Sequence, residues 1–565
     1  MFDKLKTLYN DRHNQKNYVK WLFSYTKPYI PSLSLVLLFQ ISATLLGLAM
    51  TWFNAYIIRR ATAHESVALG IIAFVSIMFL SQTISIVTSL FSVIISEKFS
   101  FGIRRNVYEK ILNTSWMDVT KYHTGDLMTR LTSDTEAIAN GISSTIPSII
   151  LLIVQLFSSF IMLYSYEPFL AISCLVIAPI ALGCSYILGR QLKKLQVKVQ
   201  ESESTYRSFI HESLSNIMII KAFCDEEYSA EHLTDLRNER LRWILKKNRL
   251  SLATSSTINI SFQIGYILAF AWGAIGLSNG TIGYDTMVIF LSLVGQVQSP
   301  LIGLAQTIPK IVSILASAGR VIELQDLPSE SKKETTITKE HIGVDVQQLS
   351  FGYTKKDMVF TDTSFQIKPG EFIAIVGESG IGKTTLIRLI MSFLNSPQGS
   401  IEFFNSLGER ETSTGSSRQF ISYVPQGNTL FSGSIADNVK MGRRDATEEE
   451  IIEALKVACA YDFVQELPEG IHTKIGERGH GISEGQAQRI ALARSIVRQA
   501  PFLVLDEATA SLDEKTELKV LEGIRNLTPK PTCVLITHRR SVLNYCDREI
   551  KINERKIKEI ELGDM

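Results

Sequence analysis

Six long stretches in the first 316 residues of this 565-residue chain lack Asp, Glu, Lys and Arg altogether. They run roughly over 33–58, 67–96, 143–163, 169–188, 253–278 and 286–309. Each is about as long as the ~20 residues that cross a bilayer, and six such stretches would swamp a soluble core. Paired cysteines are lacking too. Cys174, Cys184, Cys224, Cys459, Cys533 and Cys546 are scattered, with no C-x-x-C and no zinc-type spacing to a histidine, so they read as unpaired thiols. The formal charge of +2 leaves no basic surplus for a nucleic-acid partner. Residues 1–27 are polar and basic and lack the apolar core of a signal peptide, so this segment is expected to be retained. No internal repeat or low-complexity tract is visible.

Lys and Arg set the orientation. Six precede the first span, six lie in 97–142 and twelve in 189–252, against two, none and none in the short loops 59–66, 164–168 and 279–285. The basic segments therefore face the cytoplasm, with Arg59 and Arg60 the only discord. Six spans put both termini and the second half of the chain in the cytoplasm, at the cell (inner) membrane. Residues 97–114 and 189–250 keep helical periodicity, which predicts spans that continue as helices beyond the membrane. Each has a break, one around Trp116 to Gly125 and one near His211 to Asp225. The domain reading is a six-helix membrane domain over 1–316, a polar linker over 317–340 and an α/β nucleotide domain over 341–565.

The second half is organised around Gly377-Glu378-Ser379-Gly380-Ile381-Gly382-Lys383-Thr384-Thr385, which fits G-x-x-x-x-G-K-[ST]. An apolar strand-type run, Phe372 to Val376, precedes it, and a helical pattern from Leu386 follows. The glycines turn backbone N–H groups around a polyphosphate, the helix N-terminus and Lys383 add positive charge, and Thr384 offers a hydroxyl to Mg²⁺. Further on, four apolar residues end in Asp506 and Glu507. Two carboxylates at the C-terminal edge of a parallel strand lie where open α/β sheets bind ligands. Asp506 suits Mg²⁺ through its water shell, and Glu507 suits proton abstraction from water. Gln426 and His538 also follow strands. His538 suits the γ-phosphate, and the Gln426 side-chain carbonyl can ligate Mg²⁺ while its amide can report the γ-phosphate to a neighbouring surface.

These motifs resemble the ATPase of the ATP-binding cassette (ABC) superfamily, and the whole chain resembles an exporter half-transporter. The most specific element is Ile482-Ser483-Glu484-Gly485-Gln486-Ala487-Gln488-Arg489. The resemblance implies that Tyr353 stacks on adenine, that Glu507 is the catalytic base and His538 the γ-phosphate switch. It implies that Ser483, Gly485 and Gln486 close on the ATP of a second chain, so that ATP holds two domains together. It also implies coupling regions at Thr124, Gly125, Phe223 and Glu477. All catalytic landmarks are present, which favours a homodimer; the alternative is a homologous half-transporter as partner. Ile482 and Glu484 depart from the Leu and Gly more usual there. Glu484 is expected to point away from the phosphate; otherwise turnover would be slow.

Cargo is less legible. Span one carries Gln40, Thr44, Gly47, Thr51 and Asn54, span two Gln82, Ser85, Ser89, Ser92 and Ser96, span three Gln155, and span five Asn259, Gln263 and Tyr266. Such stripes serve as interhelical glue or as a neutral cavity wall, with Asn54, Gln82, Gln155, Asn259, Gln263 and Tyr266 the cavity candidates. The lack of intramembrane charge argues against a proton relay and a strongly charged cargo. The expectation is an amphipathic cargo, either a small modified antimicrobial peptide or a hydrophobic drug, with a lipid flippase as alternative and an ATP-gated channel further off. The short N-terminus suggests that a peptide cargo arrives already matured.

Overall fold

The computed structural model describes residues 18, 20–330, 335, 337–354, 357–427, 429–476, 481–553 and 556–561; the side chains of 170, 174–190, 258 and 560–561 are also outside the description. The chain divides into two units. One comprises Met1–Lys110 with Thr124–Asp326, the other Ile111–His123 with Leu327–Met565.

The membrane unit is helical. Its elements are α1 (Ile30–Thr62), α2 (Ala68–Leu112) and, beyond the short α3 (Trp116–Val119) of the other unit, α4 (Thr124–Tyr166). Then come α5 (Pro168–Ser215), α6 (Ile217–Ala222), α7 (Glu226–Ser278) and α8 (Tyr284–Gln325). Five described helices are long and apolar enough to span a membrane. The sixth apolar stretch, 169–188, lies on α5, where most side chains are undescribed. Helices α2, α5 and α7 run 45, 48 and 53 residues, well past the ~20 needed for a bilayer, as the periodicity predicted. The breaks fall at Asn113–Ser115 and Thr120–His123, on either side of α3, and at Asn216 and Phe223–Asp225. The linker expected from 317 starts later. Ser317, Ala318, Val321 and Leu324 are buried at one-turn spacing, and this face keeps α8 helical to Gln325.

Helix α4 contains two π-helical turns, Arg130–Asp134 and Gly141–Thr145. At the first, Asp134 is buried and accepts bonds from Ser317 Oγ (2.8 Å) and Arg320 Nε (2.7 Å) of α8. Arg130 donates to Glu323 and to the Arg320 carbonyl, both at 2.9 Å. This ionic brace ties the polar ends of two otherwise apolar helices.

In the nucleotide unit, β1 (Ile342–Gly352), β2 (Met358–Ile367), β4 (Gln398–Asn405) and β5 (Arg410–Thr412) form an antiparallel sheet in the order β2-β1-β4-β5. A second sheet has the order β12-β11-β3-β10-β9-β6, from β3 (Phe372–Val376), β6 (Ile421–Val424), β9 (Phe502–Asp506), β10 (Thr532–Ile536), β11 (Arg548–Asn553) and β12 (Lys556–Glu561). Gly433–Ser434 and Lys474–Ile475 pair as the short β7 and β8. Strands β3, β10, β9 and β6 are parallel and bury both faces. Ile373 and Ile375 join one core while Phe372 and Ala374 join the other. That is why these strands read as continuous apolar runs rather than as an alternation. Their C-terminal ends, at Val376, Val424, Asp506 and Ile536, share one edge.

Candidate functional site

The phosphate loop leaves β3 at that edge. Gly380 (φ +79°) and Gly382 (φ +115°) occupy the left-handed region, and a Cβ on Gly382 would come within 2.5 Å of Val359 Cγ1. Only glycine lets the loop turn this closely before α9 (Lys383–Ile390) starts. Lys383 Nζ donates to the carbonyls of Gly377 (2.8 Å) and Glu378 (3.0 Å) and lies 3.1 Å from His538 Nε2. Burial pushes the Lys383 ammonium below its ordinary value, and the nearby Glu507 and Asp506 carboxylates oppose this. Ser379 is exposed on the loop and Ile381 anchors it to the core.

Strand β9 delivers the carboxylates. Thr384 Oγ1 donates to Asp506 Oδ1 at 3.4 Å, and Tyr423 Oη donates to Asp506 Oδ2 at 3.2 Å. Burial raises the Asp506 carboxyl above its usual range; the Tyr423 and Thr384 bonds and the Arg388 charge pull it back. Glu507 stands at φ +51°, in the left-handed region that non-glycine residues rarely adopt. Its N–H donates to the Ile536 carbonyl of β10 (3.2 Å). The carboxylate accepts from Gln426 Nε2 at 2.6 Å and lies 3.4 Å from His538 Nε2. Six predicted residues (Lys383, Thr384, Gln426, Asp506, Glu507 and His538) thus form one connected cluster.

The other predicted residues lie around it. Tyr353 is exposed, packs edge-on against Phe351 and has its hydroxyl 3.2 Å from Thr385 Oγ1. Ser483 caps α10 (Glu484–Val497) in a reciprocal box: its Oγ accepts from the Gln486 N–H (3.2 Å), and Gln486 Oε1 accepts from the Ser483 N–H (2.8 Å). Gly485 lies close to the Ser511 carbonyl, and Gln488 accepts from Ser511 Oγ at 2.5 Å. Glu484 is exposed. Thr124 and Gly125 open α4 within the membrane unit, and Phe223 is 77% exposed just after α6. Glu477 lies outside the described residues.

Three contributors escaped the sequence reading. Tyr423 was read only as part of a strand end, yet it binds Asp506. Arg388 follows Thr384 by one helical turn, and its Cζ lies 5.0 Å from the ring centroid of Trp116. Arg539 donates to the carbonyls of Ala510 and Leu512 (2.8 Å each) and pairs with the buried Glu517 (2.7 Å), holding the 510–512 loop. A basic residue directly after His538 was the available signal.

In the membrane unit, α1, α2 and α4 line an open cavity of about 640 Å³. Gln40, Thr44, Gln82, Ser85, Ser89, Ser92, Ser96, Asn140, Ser143 and Ser144 supply its polar wall. Of the six cavity candidates, Gln82 lines it. Gln155 is half-buried, and Asn54, Asn259, Gln263 and Tyr266 are exposed away from it. Asn140, Ser143 and Ser144 stand at i, i+3 and i+4 on one helical face; the face was missed because the third apolar span was read from 143, which leaves Asn140 outside it.

The fold and site define a membrane transporter driven by nucleotide hydrolysis. Family descriptions match twice: the ABC transporter transmembrane region over residues 33–301 and the ABC transporter description over 360–510. An ATP-dependent lipid A-core flippase of Desulfotalea psychrophila is 32% identical over 443 residues, covering 77% of this chain and 76% of that protein. A Staphylococcus aureus ATP-binding/permease protein, assigned provisionally by its name to multidrug export, is 29% identical over 500 residues (88% and 86%). The solved structure of a bacterial Atm1-family ABC exporter with ATP bound shares the fold, with a TM-score of 0.80 at 21% identity and 95% coverage of both chains. The chain belongs to the ABC transporter family. It is an exporter-type half-transporter, a multi-pass membrane protein whose ATPase domain couples ATP hydrolysis to transport.

Proposed function

We propose that this protein works as a homodimer in the cytoplasmic membrane, with its ATPase domains inside, and exports a neutral amphipathic cargo such as a small modified peptide or a hydrophobic drug. The observation that carries the cargo class is the uncharged wall of the α1–α2–α4 cavity, built from hydroxyls and amides. Its buried Gln40 Oε1 finds no donor among the described residues. An unsatisfied buried acceptor costs about 1–3 kcal/mol, so a cargo bearing N–H or O–H groups is favoured over a purely apolar one. A strongly charged cargo would find no counter-charge there.

In this reading the phosphate loop and Lys383 hold the ATP phosphates, and Tyr353 stacks on adenine. The tight turn at Gly382, which a side chain would fill, suits a polyphosphate. The oxygen donors of Thr384, Asp506 and Gln426 fit Mg²⁺, which when bound neutralises phosphate charge. Glu507 takes the proton of the attacking water, oriented by Gln426 and His538. Ser483, Gly485 and Gln486 of a second copy complete the site, and α3, the start of α4 at Thr124 and Gly125, Phe223 and Glu477 transmit closure to the membrane helices. The flippase relative supports a second reading, transport of lipid.

The test is ATPase activity of the purified chain in lipid vesicles, wild type beside Glu507→Gln, across peptides, drugs and lipids. Wild-type activity lost in the variant and stimulated by peptides or drugs supports the proposal. Stimulation by lipid headgroups alone moves the cargo to the flippase reading. A monomeric, silent wild type that a second half-transporter rescues overturns the homodimer.

A further inference from the structure

The nucleotide unit has a second cavity, of about 520 Å³, at the edge of the parallel sheet opposite Asp506 and Glu507. That volume falls in the range of small-molecule sites, ~300–1,000 Å³. The cavity shares no residue with the ATP cluster. Its floor is apolar, built from Ala454, Val457, Ile496, Val497, Leu503 and Leu527. Pro501 and Pro531, the residues that lead into β9 and β10, form one wall. That wall is fixed by the buried Thr532. Its N–H donates to the Pro501 carbonyl (2.8 Å), and its Oγ1 donates to the Ile342 carbonyl (2.6 Å) and accepts from the Gly370 N–H (2.8 Å). His341 (φ +48°) and Gln499 (φ +53°) turn the chain around the rim in the left-handed region.

The helix Glu448–Val457 supplies the facing wall, and its cavity side is graded. Glu449, Glu450 and Glu453 stand towards its N-terminus, and Ala454 and Val457 follow on the same face. A molecule lying along this wall meets carboxylates at one end and hydrocarbon at the other. Around the cavity the carboxylates of Glu340, Glu449, Glu450 and Glu453 face the ammonium groups of Lys339 and Lys530. Glu450 is paired with Arg443, Glu453 with Lys456 (2.6 Å), and Lys530 lies 4.0 Å from Asp547. Of the charges left, Glu340 and Glu449 outnumber Lys339. Bonds from its own N–H and from Thr447 hold the Glu449 carboxyl below its ordinary value, so it is ionised at neutral pH.

Two elements of the ATPase reach this cavity by their far ends. Leu503 lies on β9 three residues before Asp506, a distance of about 10 Å along a strand. Ile496 lies near the end of α10, about 20 Å along the helix from Ser483. An occupant of the cavity therefore fixes the strand that carries Asp506 against the helix that Ser483 caps.

We propose that this cavity is a regulatory site for a small amine with an apolar or aromatic body, whose ammonium group pairs with Glu449 and Glu453 and whose body covers the Val457–Ile496–Leu503 floor. Its occupation slows hydrolysis without competing with ATP. The ligand class follows from the surplus of carboxylate around an apolar floor: a cation gains there, and an anion is repelled. The effect on turnover rests on the ATPase reading above, whereas the binding does not.

The experiment uses the full chain in phosphatidylcholine nanodiscs on a surface plasmon resonance chip, referenced to nanodiscs without protein. Three probes share one indole ring: tryptamine (cation), tryptophol (neutral) and indole-3-propionate (anion). Tryptamine should bind with a Kd on the order of 10⁻⁴ M, as suits so small a ligand. Tryptophol should bind more weakly and the propionate most weakly. The double variant Glu449→Gln/Glu453→Gln changes two exposed side chains and should weaken tryptamine about three- to tenfold while leaving tryptophol as it was. Thr528→Trp, at the exposed lip, should weaken all three probes. Should Thr528→Trp fail to fold, the carboxamide pair carries the same decision. Equal affinity for the three indoles overturns the site, as does tryptamine affinity that the double variant leaves unchanged. Tryptamine binding lost in Gln40→Leu and kept in the double variant belongs to the membrane cavity and overturns it too.

Turnover is read with the same nanodiscs and Mg·ATP. Saturating tryptamine should lower kcat by about twofold or more with KM for ATP within about twofold, and the double variant should need more tryptamine for the same effect. Unchanged kcat at full occupancy, or a rise in KM in place of the fall in kcat, overturns the regulatory role. Glu507→Gln separates the two readings. Equal ATPase activity in wild type and Glu507→Gln removes the ATPase reading, while the binding measurements still decide the cavity.

Discussion

In the nucleotide unit Ile373, Ile375, Val504 and Val534 are fully buried between two layers, whereas in the membrane unit Leu69, Ile72 and Phe79 stand more than half exposed. The same residue types serve opposite ends. Burying a Val or Ile gains about 1.5–3 kcal/mol in a water-soluble core, but against lipid that gain vanishes and polar contacts and packing set the arrangement. Polar groups are distributed accordingly. The nucleotide unit gathers them at one sheet edge, where His538 touches both Lys383 and Glu507. The membrane unit spreads hydroxyls along a cavity and braces α4 to α8 with the pairs Asp134–Arg320 and Arg130–Glu323. Nucleotide chemistry fits the first arrangement and bracing the second.

Thiol labelling gives the sharpest contrast. Cys224 is exposed on the membrane unit, whereas Cys533 and Cys546 are buried in the nucleotide core. Burial pushes the Cys546 thiol up to about 12. A raised thiol pKa keeps the unreactive protonated form, so at pH 8 its thiolate fraction falls about a thousandfold below that of an ordinary cysteine. Maleimide labelling followed by mass spectrometry should modify Cys224 at least that much faster, with Cys546 reacting only after denaturation. Comparable native rates would mean that the core opens readily and that the two units differ less than drawn here.

The next effect tests whether polar side chains of the nucleotide unit act chemically. Lys383→Met removes the only cation bonded to the loop carbonyls among the described residues and should lower kcat/KM for ATP by about 10²–10³. A drop under tenfold in a steady-state assay would leave Lys383 a structural clamp on its own loop. The third effect concerns bracing. Asp134 is 4% exposed while Arg320 is 45% exposed, so cutting the pair with Asp134→Ala should cost about 2–3 kcal/mol, below the full value for a pair buried on both sides. Thermal unfolding in detergent reads this as a lowered midpoint, and Asp134→Asn should recover part of it through the Ser317 bond. An unchanged midpoint would show that helix packing alone holds α4 to α8.

Legibility follows the same division. The phosphate loop, Asp506 and Glu507 were readable because a polyphosphate site needs glycines, a lysine and strand-end carboxylates at fixed spacing, and the structure brings them within bonding distance. Tyr423 and Arg388 were hidden because their partners, Asp506 and Trp116, are distant in sequence and no local pattern announces a hydrogen bond across strands or a stacked guanidinium. In the membrane unit the spans were readable from missing charge, but the cavity was not. Uniformly apolar helices give no strong periodicity, so Asn54 and Gln263 looked as eligible as Gln82, and Asn140 falls just outside the apolar span read over 143–163.

The smallest effect is the one that decides what the cavity does. Gln40 and Gln82 both line it, and Gln40 carries a buried acceptor that has no partner among the described residues. Replacing Gln40 by Leu keeps the volume and removes the acceptor, so the helices lose nothing in packing while a hydrogen-bonding cargo loses about 1 kcal/mol, or about fivefold in half-stimulating concentration. Asn54→Ala and Gln263→Ala, exposed away from the cavity, should leave that concentration unchanged. Cargo-stimulated ATPase measured across these three variants separates a binding wall from interhelical glue. A wall shifts the concentration for Gln40→Leu alone, whereas glue lowers the melting temperature of Gln40→Leu and leaves the concentration where it was.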